Sequence, residues 1–365
     1  MLIPFLLLLQ DAAPPMPAVH TARHYEITLV PADTGTHLLG EVQTSWTLRS
    51  AGAVGALLDS TMRVVRVLVD GKPNTRISRT MYGRSGQDVV VPHQKVAGDS
   101  ISTRIRYHGL VRGDAWLGDD RGSRAFVAGG WRGSHHWLPI PPGAPQRVSA
   151  AFSVQAPTSQ RAIANGVPIR VDTLPYDHAT WHYRLDSLAP LASLAVAVGS
   201  YAVNSLSPRV EVWTRPADSA WAAAGPFRRA AEMVEHFSGI LGSMPYARVA
   251  HVAAPAVPAP TAGGGLALYQ AASFRAGGLD EIAVARATAR QWLDGADSTL
   301  ARELADWLAA EWAGGKPPAE PRRLSQQRSR LGEAAFRRGL LAFVRSQREG
   351  RGSVEDFAAA MQPSR

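Results

Sequence analysis

Residues 281–293 read Glu281-Ile-Ala-Val-Ala-Arg286-Ala-Thr-Ala-Arg290-Gln-Trp-Leu293. The alanine-rich composition predicts a helix that packs closely on its neighbours. Arg286 and Arg290 stand four apart and so share one helix face. A guanidinium has no lone pair to give a metal and stays protonated. The last of the 11 histidines is His251, and the chain has no cysteine. The C-terminal third therefore supplies neither imidazole nor thiolate, the donors a catalytic or structural zinc site favours.

Around this segment the chain has the composition of a folded protein. With 365 residues, 45% hydrophobic and 19% charged, it is long enough for two cores and too apolar for disorder. The formal net charge is +9, and all but three of the 39 basic residues are arginine. The basic residues are scattered and no nucleic-acid motif accompanies them, so no nucleic-acid partner is expected. Zero cysteines exclude a disulfide framework. The start, Met1-Leu-Ile-Pro-Phe-Leu-Leu-Leu-Leu-Gln10, resembles the apolar core of a signal peptide without its positive flank. Residues 1–20 are taken as a signal-like segment and the protein as exported: periplasmic, secreted or envelope-associated. No later stretch is long and apolar enough for a transmembrane helix.

Short alternating segments predict a β domain over residues 21–206. Val42–Leu48 and Ile101–Tyr107 alternate as half-buried strands do. Val64–Val69 runs into Asp70-Gly71, a hairpin signal. Further strands are expected at Ala151–Gln155, Thr180–Leu185 and Ala192–Tyr201. The pattern suggests an antiparallel sandwich or saddle. A second, mainly helical domain is expected over 207–365, with helices at 226–241, 298–313 and 329–347. Residues 315–328, rich in Pro, Gln and Arg, read as a loop or linker. Ser353-Val-Glu-Asp356 opens a last short helix as a capping box. The fold class expected is α+β.

Several segments, in order, resemble the aminopeptidase N family of gluzincin metallopeptidases. His24–Leu29 is similar to that family's opening strand, Trp137-Leu138-Pro139 to its Trp-Phe-Pro, and Ala164-Asn165-Gly166 to its Ser-Asn-Gly. Met244-Pro245-Tyr246 resembles its Tyr-Pro-Tyr, and Gly332-Glu333-Ala334-Ala335-Phe336 its Gly-Glu-x-x-Phe. Gln291-Trp292 resembles the end of its His-Glu-x-x-His-Gln-Trp helix. The resemblance implies a β domain followed by a shortened thermolysin-like domain, and it implies zinc as the family's metal.

The reactive positions depart from the family pattern. Where the family has His, Glu and His, this chain has Arg286, Ala287 and Arg290. The third ligand of the family falls on Ala310, or on Ala309 in the neighbouring register. The substrate loop Gly-x-Met-Glu-Asn corresponds to Gly264-Gly265-Leu266-Ala267-Leu268, with Ala267 in place of the amine-binding Glu. The family's transition-state tyrosine follows the third ligand, whereas all eight tyrosines here end by Tyr269. No Gly-x-Ser-x-Gly elbow suggests a serine hydrolase instead. The histidine pairs His135/His136 and His178/His182 lack chelating geometry.

Three functions fit these residues. The favoured one is a catalytically inactive aminopeptidase-like protein without a cofactor, binding a peptide or protein partner. The second is a zinc aminopeptidase with residual activity. The third is a basic surface protein that binds anionic polymers. Arg286 and Arg290 themselves carry two expectations. Either they pair with acids such as Asp306 or Glu311 and fill the space a zinc site would need, or they form an anion pocket for a carboxylate or phosphate, such as a peptide C-terminus.

Overall fold

Two-residue alternation builds the first domain. In the strand His37–Thr47 every second side chain is buried, from Leu38 through Val42 to Trp46. Such a strand can face a core only one way, because a one-residue slip would turn all of these outward. The computed structural model describes residues 20–362 except 83–85, 114, 121–122, 131–133, 144–145, 258–260, 275–277 and 315–321. Almost all of the signal-like segment, residues 1–19, lies outside these described residues.

His37–Thr47 belongs to an eight-stranded sheet. In spatial order its strands are Val167–Leu174, His178–Pro190, Arg147–Pro157, Thr21–Pro31, His37–Thr47, Ser100–Leu110, Met62–Val69 and Lys72–Pro73. Pairing in it is antiparallel with one exception: Thr21–Pro31 runs parallel to Arg147–Pro157, with Ile27 opposite Phe152. A three-stranded and a four-stranded sheet complete the domain. The expected hairpin forms at Asp70 and Gly71, both at positive φ (48° and 79°), between Val69 and Lys72. Gly40 lies opposite Tyr107, and a Cβ there would come within 2.2 Å of the tyrosine ring. The ring is buried over it and donates from Oη to the Trp137 carbonyl at 2.5 Å. The Trp137-Leu138-Pro139 motif is thus clamped by the sheet, and Trp137 and Leu138 are fully buried.

His136 takes a hydrogen-bonded role. Its Nδ1 lies 2.7 Å from Oδ2 of the buried Asp59, which also accepts from Arg112 Nε at 2.9 Å. Burial alone would raise the Asp59 carboxyl. The hydrogen bonds from His136, Arg112 and Thr61 outweigh it and hold the group well below the usual carboxylate range.

The second domain opens with a five-stranded sheet in the order Ala202–Ser207, Val210–Thr214, Val249–Ala254, Leu266–Gln270, Thr261–Gly263. Its first strand crosses the expected boundary at 206/207. Ala202–Ser207 pairs with Val210–Thr214, so hydrogen bonding places it in the second domain. Helices Ala230–Leu241, Ser298–Trp312, Glu333–Gln347 and Val354–Ala360 form largely as the periodicity predicts. The last carries the Ser353–Asp356 capping box.

The expected loop over 315–328 is corrected in part. Residues 315–321 lie outside the described residues, but Arg322–Leu331 is helical. Arginine and glutamine are good helix formers. One apolar anchor, the fully buried Leu324, holds the segment on the core, and Arg323 pairs with Glu303 at 2.9 Å. Gly332, at φ +74°, separates it from the next helix. Among the described residues no helix is long and apolar enough to cross a membrane.

Candidate functional site

The segment 281–293 forms a helix over Glu281–Ala289, capped by Asp280, whose side chain accepts from the Ala283 amide at 2.7 Å. It then tightens into a 3₁₀ turn at Arg290–Trp292. Tertiary contacts pin that turn. Trp292 Nε1 donates to the Gly242 carbonyl at 2.8 Å, and the buried Gln291 accepts from the Gly265 amide at 2.9 Å. Two residues on, Asp294 is buried and accepts from the Gly264 amide at 3.1 Å and from Tyr246 Oη. Arg147 of the first domain reaches the same carboxylate at 3.4 Å. Burial pushes the Asp294 carboxyl up, against the opposing pull of Arg147, Tyr246 and the Gly264 amide.

The amides that meet this turn come from the glycine run. Gly264 and Gly265 adopt positive φ (61° and 79°), conformations that side-chain-bearing residues rarely take. The close approach is as restrictive as the torsion, since a Cβ at Gly264 would lie 2.6 Å from Asn165 Nδ2. Asn165 is fully buried. Its Nδ2 donates to the Gly264 and Ser193 carbonyls at 3.0 and 3.1 Å, and its Oδ1 accepts from the Ala195 amide at 2.6 Å. The Ala164-Asn165-Gly166 motif therefore ties the glycine loop to the first domain. Leu266 and Ala267 continue into the strand behind the loop and are buried.

A cavity of about 350 Å³ opens between these parts. Its walls include Gly130, Ser193, Gly263, Leu266, Asp294 and Ser298. Arg290 also lines it. The Arg290 Nε is buried without a hydrogen-bond partner, and among the described residues no carboxylate forms an ion pair with its guanidinium. Burial pulls its pKa down, Asp294 and Asp306 oppose that, and Arg302 adds to it. An arginine nevertheless keeps its charge.

The two arginines do not act as a pair. Arg286 forms an ion pair with Asp306, but at the surface, with both side chains more than 40% exposed. Glu311, the other expected partner, is held by Arg337 instead. The expectation that both arginines pair with acids and fill the space of a zinc site is corrected: Arg286 pairs with Asp306 but at the surface, and the 3₁₀ turn aims Arg290 at the cavity.

The side chains at the family's metal positions do not make a zinc set. Arg286 and Arg290 offer no lone pair, and Ala287 and Ala310 are buried with no polar atom. The acids nearby are engaged: Asp306 with Arg286, Glu303 with Arg323, Glu311 with Arg337. Among the described residues no three His, Cys, Asp or Glu side chains converge.

No protein-family model matches the chain, and no curated protein matches its sequence. Its fold does match solved structures. The M1 zinc metallopeptidase from Deinococcus radiodurans superposes with a TM-score of 0.74 at 19% identity, over 95% of this chain and 90% of that one. A mutant of that enzyme bound to a Tyr-Ser-Ala substrate gives 0.74 at 19% identity, over 93% and 90%. A two-domain M1 zinc metallopeptidase mutant bound to L-tryptophan gives 0.71 at 18% identity, over 94% of each chain. The architecture is thus α+β, with the N-terminal β domain and smaller helical domain of M1 metallopeptidases. Asp294 had no signal in the sequence beyond its residue type, whereas Asn165, Gln291 and Ser193, in Pro190-Leu191-Ala192-Ser193, lie in segments that carried the resemblance.

Proposed function

We propose that this chain is a catalytically silent protein of peptidase fold that binds a peptide or protein partner in the cleft beside Arg290, outside the cell or in its envelope. One observation carries this. The positions where the fold's relatives would need donors hold Arg286, Ala287, Arg290 and Ala310, and the position of the amine-binding carboxylate holds Ala267. A cavity of about 350 Å³ persists there all the same. It falls in the size range of ligand pockets. Loss of metal ligands, base and amine anchor together removes catalysis, since each such group typically contributes orders of magnitude in rate.

The zinc aminopeptidase reading draws on the fold alone. Metal analysis of the purified protein, with assay of aminoacyl reporter substrates, separates the two. The expected result is substoichiometric zinc and no turnover. One equivalent of tightly held zinc with chelator-sensitive hydrolysis would overturn the proposal. The anionic-polymer reading finds little support, since many arginines are neutralised locally, as in Arg170–Asp172 at 3.0 Å and Arg184–Asp186 at 3.1 Å.

A further inference from the structure

We infer that Arg290 seats a carboxylate, and that the ligand of this cavity is a peptide entering by a free, apolar C-terminal residue. The inference rests on the cleft-binding proposal above and names the end of the ligand that the cleft reads.

The charge balance comes first. A guanidinium that is half-buried and without a protein partner is costly, because burial removes water from a charge that nothing replaces. Arg290 is such a group. Its charged neighbours are Asp294, Asp306 and Arg302. Asp306 is committed to Arg286 and Asp294 to Arg147, Tyr246 and the Gly264 amide. Among the described residues two positive charges, Arg290 and the exposed Arg302, are left without an ion pair. An entering anion completes the site, and a planar carboxylate matches the guanidinium fork with two parallel hydrogen bonds.

The wall chemistry chooses among anions. Asp294 lines the same cavity, and its carboxylate repels an entering anion. A phosphate dianion would meet that repulsion at double charge, whereas a carboxylate carries one. Much of the remaining lining is small and apolar, with Ala192, Ala195, Ala262, Leu266 and Leu268, and the hydroxyls of Ser193, Thr261 and Ser298 stand among them. The apolar part suits an aliphatic side chain next to the carboxylate, a group that inorganic phosphate lacks. Asn165 keeps the glycine-loop wall rigid, so little ordering is needed on binding.

The test uses the whole protein and isothermal titration calorimetry with three probes: N-acetyl-Ala-Leu with a free carboxylate, the same dipeptide as its C-terminal amide, and inorganic phosphate. The acid should bind at least about tenfold more tightly than the amide, the scale of a hydrogen bond to a charged group. Arg290→Gln should erase that preference, while Arg290→Lys should retain part of it. The acid-to-amide comparison needs no variant, so a folding defect cannot obscure it. Equal binding of acid and amide overturns the carboxylate assignment and leaves cleft binding standing. Phosphate binding more tightly than the acid overturns the choice of ligand. Absence of binding by either dipeptide overturns both this inference and the proposal beneath it.

Discussion

Arg290 is a charge held in place with no partner among the described residues, and its energetic signature differs from that of a paired group. Removing one member of a buried pair costs about 3–5 kcal/mol. Arg290 strands nothing when removed, so Arg290→Ala should shift stability by less than about 1 kcal/mol, read as the urea midpoint at constant slope. A loss near 3 kcal/mol would mean a hidden partner. His251 makes the opposite case. It is fully buried beside Tyr269, 2.8 Å from its hydroxyl, and burial lowers its pKa to about 3. The folded ring stays neutral while the unfolded ring takes a proton below about 6.5. Stability is therefore complete above pH 6.5 and falls as pH drops toward 3, by up to about 1.4 kcal/mol per pH unit. Urea denaturation from pH 7.5 to 5 should show this slope, and His251→Leu should flatten it. The sequence showed that Arg286 and Arg290 could share a face, because spacing alone sets that. It did not show that they part company. That depends on a 3₁₀ turn pulled tight by Gln291 and by amides from a loop 26 residues earlier.

At the scale of elements, the glycine loop and the helix end form one unit, and Asn165 is its fastening. Asn165→Ala strands the Gly264 and Ser193 carbonyls and the Ala195 amide in a dry setting. It should cost about 2–4 kcal/mol, and hydrogen exchange at the Gly264 and Gly265 amides should accelerate. Unchanged exchange would show that Gln291 and Asp294 alone hold the loop. The loop was legible because Gly-Gly in a chain of strands asks for positive φ. The helix Arg322–Leu331 was not, since its polarity masks a single buried anchor, Leu324, and binary patterning needs several apolar positions to register. The strand Ala202–Ser207 escaped for a related reason: its side chains are only partly buried, so it carries no alternation.

Across the whole molecule, the order of short motifs predicted the architecture better than any one of them, because each marks a place where two elements must meet. Several of those meetings cross the domain boundary. Asn165 bonds the Gly264 carbonyl, Arg147 reaches Asp294, and the buried Arg248 joins Glu211 to the Ala164 carbonyl at 2.8 and 3.1 Å. The two domains should consequently unfold together, as one urea transition seen identically by near-UV and far-UV circular dichroism. Two separated transitions would show that these links are weak. One further feature bears on how the chain comes to be. Thr21–Pro31 lies in the middle of the large sheet, with His24 beside Ser149 on its parallel side. On a ribosome adding roughly 5–20 residues per second, that neighbour emerges some 6–25 s after the strand itself. Until then the nascent sheet has a raw apolar edge, the kind of surface that chaperones cover, for as long as its central seam is open.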